Sequence, residues 1–109
     1  MSSREVVFSA ICSALEECQA GLPEEERLAL AQDTVIIGDP PPLDSVTFVM
    51  FAVGAEEQVE AAVGREFSMM DIAERLFHTG EQITLSRLTD SVLEAVSDSS
   101  ADPIASAAP

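Results

Sequence analysis

The stretch Pro42-Leu43-Asp44-Ser45-Val46-Thr47-Phe48-Val49-Met50-Phe51-Ala52-Val53 decides the reading of this chain. Pro40, Pro41 and Pro42 stop regular structure and stiffen the approach to Ser45. A helix-patterned run then extends from Ser45 to Val63 and is closed by Gly64. Ser45 thus stands at the mouth of a predicted helix. The opening of a helix carries unpaired N–H donors and partial positive charge, which together stabilise a phosphate. A serine there is well placed to bear a phosphodiester-linked group. Asp and Ser are also ordinary helix caps, and on the dipeptide alone capping is the favoured reading; the helix order and the flanking segments tip it the other way.

The first half of this helix is unusual, because Val46, Phe48, Val49, Met50, Phe51, Ala52, Val53 and Ala55 leave almost no polar side. A helix apolar all round is normally buried on every side. A chain of 109 residues rarely encloses one completely. One face is therefore expected in the core and part of the other exposed, where it suits docking of a partner protein. Glu56, Glu57 and Glu60 make the second half acidic. Gly54 lies inside the helix, where it costs about 1 kcal/mol against Ala, and close packing is the expected reason.

Outward from this helix, three more are predicted. Ser2-Ser3-Arg4-Glu5 fits a capping box, and Val6, Val7, Ile11, Ala14, Leu15 and Cys18 recur at helical spacing until Gly21 and Pro23. Ser68 with Asp71 opens a short third helix, whose apolar face is Met69, Ile72, Ala73, Leu76 and Phe77. A fourth begins near Thr84 or Ser86, with a stripe of Leu85, Leu88, Val92 and Val96. Residues 22–44 read as a long connection. Pro23-Glu24-Glu25-Glu26 can nucleate a helical turn within it. Val35-Ile36-Ile37 has strand propensity, but no strand partner is evident, so it is read as an extended segment pinned to the core. The expected fold is all-α: a four-helix bundle over residues 1–96 with a long loop between helices one and two, and a disordered tail at 97–109.

Composition narrows the function classes. Hydrophobic residues make up 47% of the chain and aromatics 5%, all Phe, so the core must be mostly aliphatic. The net charge of −15, from 20 acidic and 5 basic residues, repels nucleic acid and anionic membrane and attracts basic protein surfaces. No apolar run is long enough to insert in a membrane, and the start lacks a signal-peptide pattern, so a cytoplasmic monomer is expected. Cys12 and Cys18 lack zinc-ligand or redox spacing and read as small hydrophobes in a reducing compartment. His78 is the sole histidine, and residues 33–44 do not match a calcium loop. No acid/base, nucleophilic or metal constellation is visible, so the chain is not expected to be an enzyme.

The helix order, with Leu43-Asp44-Ser45-Val46 opening helix two, resembles the acyl carrier proteins over residues 4–96. The family's Asp-Ser-Leu motif maps onto Asp44, Ser45 and Val46, with Val in place of Leu. Gly38 to Ser45 is similar to the approach in specialised stand-alone carriers. Glu56-Glu57 matches the family's acidic stretch, and Gly64 to Ser68 its segment leading to helix three. The resemblance implies that Ser45 receives 4′-phosphopantetheine from coenzyme A, delivered by a separate magnesium-dependent transferase. The arm's thiol would hold acyl groups as thioesters and present them to acyl ligases, ketosynthases or acyltransferases of fatty-acid, polyketide or specialised lipid biosynthesis. Asp44 would cap the helix or aid transferase recognition. The region between helices two and three would contact the acyl chain; Met50, Phe51, Met69, Met70, Ile72 and Leu76 offer soft apolar surface there, though ordinary core lining is the expected role of most of them individually. Thr47 and Met50 stand where the family is often acidic, which fits a carrier dedicated to one pathway. Two other readings stay open: a peptidyl or aminoacyl carrier of a nonribosomal pathway, and an unmodified acidic helical adaptor that docks through helix two.

Overall fold

The computed structural model of the protein describes residues 3–105, with side chains through Ser97. Among the described residues the order is α1 (Ser3–Cys18), a 3-10 turn (Glu24–Glu26), β1 (Val35–Ile37), α2 (Ser45–Val63), α3 (Met69–Phe77), β2 (Ile83–Thr84) and α4 (Leu85–Ala105). The chain is mostly helical, with four helices packed around one aliphatic core.

Each helix enters that core through residues three or four apart, the spacing of one helix face. Val7, Ile11 and Leu15 come from α1, Phe51, Ala55 and Val59 from α2, Ile72 and Leu76 from α3, and Leu88, Val92 and Val96 from α4. Fully burying one such side chain contributes about 1.5–3 kcal/mol, so this interlocking drives the fold. The α1–α2 pair has the most extensive contact. Arg4 ties α1 to α4: its Nε donates to Asp90 Oδ1 at 2.8 Å and its Nη2 to Ser86 Oγ at 2.6 Å.

The expectation of an all-α chain needs correcting. Val35 pairs with Thr84 and Ile37 with Ile83 in a two-stranded antiparallel sheet, with an irregularity between the two pairs. The strand partner missing from the sequence reading is therefore Ile83–Thr84. Two further backbone bonds extend the tie, from Leu85 N–H to the Thr34 carbonyl at 2.8 Å and from Ser86 N–H to the Gln32 carbonyl at 2.9 Å. Such a ribbon is not stable alone, and here it rests on buried Ile36, Ile37 and Ile83.

The connection between α1 and α2 is held by side chains as well. Gln19 is buried and its amide engages Leu28 twice, accepting from the N–H at 3.0 Å and donating to the carbonyl at 2.9 Å. Arg27 donates to the carbonyls of Leu22 and Ala20 at 2.9 and 2.8 Å, which neutralises acceptors just past the end of α1.

Three features differ from expectation or lie outside the described residues. Helix α4 runs from Leu85 to Ala105, across residues expected to form a disordered tail, and it contains Pro103. Residues 106–109, and the Ser2 cap predicted for α1, lie outside the described residues. Phe77, expected on the apolar face of α3, is 64% exposed. The buried row is Met69, Ile72, Ala73 and Leu76, and Phe77 falls one step around the helix from it.

Candidate functional site

Asp44 sets where α2 begins. Its backbone is extended, and its Oδ1 accepts the Thr47 N–H at 2.7 Å while its carbonyl accepts the Phe48 N–H at 2.9 Å. This is an N-cap, the arrangement that satisfies one of the helix's orphan donors. The backbone N–H and side chain of Thr47 hold the Asp44 carboxyl below its ordinary range. Ser45 follows as the first helical residue and is exposed. At the far end Gly64 closes α2 at φ 73° and returns its N–H to the Glu60 carbonyl at 2.8 Å.

Ser45 and Asp44 stand at the mouth of an open cleft of about 910 Å³. That volume lies in the range of small-molecule sites. Its floor comes from Ile36, Ile37 and Leu43, all buried, and from Phe48. Phe48 leans on the buried Phe51, with ring centroids 5.9 Å apart and planes tilted at 56°. The facing wall is α3, through Met70, Ala73 and Phe77. Asp44, Asp71 and Glu74 bring carboxylates to the lining. The site is thus an apolar trough with an exposed hydroxyl and three acids along it. An alkyl chain lying there would shed water, and an anionic one would meet repulsion.

The three residues of the predicted motif part company here. Asp44 and Ser45 line the cleft, whereas Val46 is 71% exposed and does not. It joins Val49, Met50 and Val53 as exposed apolar residues of α2, Val49 also lining the cleft, in the strip that the helix's apolar first half leads one to expect. Of the six apolar residues named in that region, Met70 lines the cleft, and most of the others line the core, the role expected of most of them individually. Phe51, Met69, Ile72 and Leu76 are core residues, and Met50, 55% exposed, is on the outer strip. Ile36, Ile37, Gly38 and Pro41 were missed because they come from the α1–α2 connection, which folds back beside α3. The signal present in the sequence was Val35-Ile36-Ile37, whose apolar residues had to pack on something.

The remaining reactive side chains lie elsewhere. His78 caps the C-terminus of α3 and does not line the cleft, so it offers Ser45 no base. Burial raises the Cys12 and Cys18 thiols above their ordinary value, and Cys18 Sγ donates to the Leu15 carbonyl at 3.3 Å. Both are packing residues in the thiol form. A second depression, about 220 Å³, sits at the other end of α2 beside Val63 and Arg65. Among the described residues no helix is long and apolar enough to cross a membrane.

No protein-family model matches the chain, and neither the curated proteins nor the solved structures contain a match to it.

Proposed function

We propose that the protein is an acyl carrier: Ser45 bears 4′-phosphopantetheine, and the cleft shelters thioester-bound acyl intermediates as they pass between enzymes. The observation that carries this reading is an exposed serine at the first turn of α2, opening onto an apolar cleft of about 910 Å³. The residues present suit the group. The Ser45 hydroxyl is accessible, the helix N-terminus favours a phosphate, and the apolar floor suits an alkyl chain.

The work of this chain is positional. Asp44 fixes the first turn of α2 and so the place of the Ser45 hydroxyl. With His78 away from the cleft and the Asp44 carboxylate engaged as the helix cap, Ser45 relies on a separate magnesium-dependent transferase for activation. When bound, the group supplies a thiol that holds acyl chains as thioesters. Ile36, Ile37, Leu43 and Phe48 exclude water from an alkyl chain, and Asp71 and Glu74 on the α3 wall disfavour a chain ending in an anion. Acyl ligases, ketosynthases or acyltransferases of fatty-acid, polyketide or specialised lipid assembly in the cytoplasm are the partners this reading implies, with the carrier working as a monomer. The same serine chemistry would serve a peptidyl or aminoacyl carrier, which differs in what is loaded.

A second reading has its own support. Val46, Val49, Met50 and Val53 form an exposed apolar strip on α2, which suits an acidic adaptor whose Ser45 is never modified. Transfer of phosphopantetheine from coenzyme A to Ser45, read by intact mass, separates the two.

A further inference from the structure

Helix α3 is both a piece of the core and one wall of the cleft, so what fixes its start bears on the width of the cleft. Its buried row is Met69, Ile72, Ala73 and Leu76; Met70, Asp71, Glu74 and Phe77 line the cleft, and buried Ala73 borders it as well. A helix of nine residues has little stability of its own, and its opening N–H groups need partners. Ser68 Oγ accepts from the Asp71 N–H at 3.2 Å. The Met69 N–H is met from another helix: Glu56 Oε2 of α2 accepts it at 2.7 Å. One turn along α2, Glu60 Oε2 accepts the Phe67 N–H at 3.4 Å. Met69 is fully buried, so loss of the Glu56 carboxylate would strand a donor where water does not readily replace it.

We propose that Glu56 is a positioning residue of the cleft: its carboxylate latches the first residue of α3 to α2 and thereby sets the space available to an apolar chain. The acidic second half of α2 thus has an internal task besides its charge. The proposal rests on the reading of the cleft as a binding site, and its test separates the two.

The test compares wild type, Glu56→Ala and Glu56→Gln by amide hydrogen exchange of residues 69–77 and by binding of N-phenyl-1-naphthylamine, a neutral apolar fluorophore. Gln keeps a carbonyl acceptor for the Met69 N–H and Ala does not. Glu56→Ala should exchange about tenfold faster across α3, with α1 and α4 unchanged, and bind the probe several-fold more weakly. Glu56→Gln should restore both toward wild type. Unchanged exchange in Glu56→Ala, equal losses in both variants, or a global loss of helical circular dichroism would each overturn the latch. Absence of probe binding by wild type would instead remove the cleft reading, and the proposal with it, whatever the exchange shows.

Discussion

Gly54 offers a sharp test of how α1 and α2 pack. It sits in the interior of a 19-residue helix, where glycine costs about 0.8–1.0 kcal/mol relative to alanine. Close packing would justify that cost only if a side chain did not fit. A Cβ placed at Gly54 meets the Cβ of Ala14 at 3.5 Å and nothing else within 4 Å, which is ordinary van der Waals contact. Gly54→Ala should therefore stabilise the protein by about 1 kcal/mol. In a domain of this size that raises Tm by about 4–8 °C. Thermal and urea unfolding followed by circular dichroism would measure it, with the urea slope unchanged. Gly64→Ala is the contrasting control. Its φ of 73° is left-handed, so the same substitution should there cost about 1 kcal/mol or more. A fall in Tm for Gly54→Ala would refute the packing argument and show that the α1–α2 approach needs glycine.

The remaining predictions concern the mouth of the cleft and the outer strip. Asp44 is held below its ordinary pKa in the folded protein, so its contribution to stability is present above the unfolded value, about 3.9, and is lost as pH falls through the lower folded value. The Tm advantage of wild type over Asp44→Asn should then shrink between about pH 5 and pH 2; a constant difference across that range would show that the Thr47 bonds do not act on this carboxyl. Met50→Glu, on the exposed strip, should change stability by no more than about 0.5 kcal/mol yet lower kcat/KM of the phosphopantetheinyl transferase on this chain. Unchanged transfer would remove Met50 from the docking face.

Much of the fold was legible because long periodic faces dominate it. Val7, Ile11 and Leu15, or Leu85, Leu88, Val92 and Val96, announce their helices without tertiary information. Ser68 was equally readable as a cap and does accept from Asp71. The sheet was not legible, because Ile83–Thr84 is two residues long and abuts the start of α4, too short for any alternating pattern. The cleft was half legible. Asp44 and Ser45 could be placed at a helix mouth from local chemistry alone. Its floor could not, since Ile36 and Ile37 lie beside α3 through tertiary packing that includes the pairing with β2. For the methionine and core residues between α2 and α3 only the region could be read, because apolar character does not say which side of a helix faces a cleft. Glu56 and Glu60 looked like surface charge, and their bonds to Met69 and Phe67 depend on the turn between α2 and α3.

The most direct test of the carrier account is intact-protein mass spectrometry after incubation with coenzyme A, magnesium and a broad-specificity phosphopantetheinyl transferase, with Ser45→Ala alongside. The account predicts a single phosphopantetheine mass gain in wild type, none in Ser45→Ala, and unchanged helical circular dichroism in the variant. No gain in wild type while a known carrier in the same tube is modified, or a gain that persists in Ser45→Ala, would contradict it.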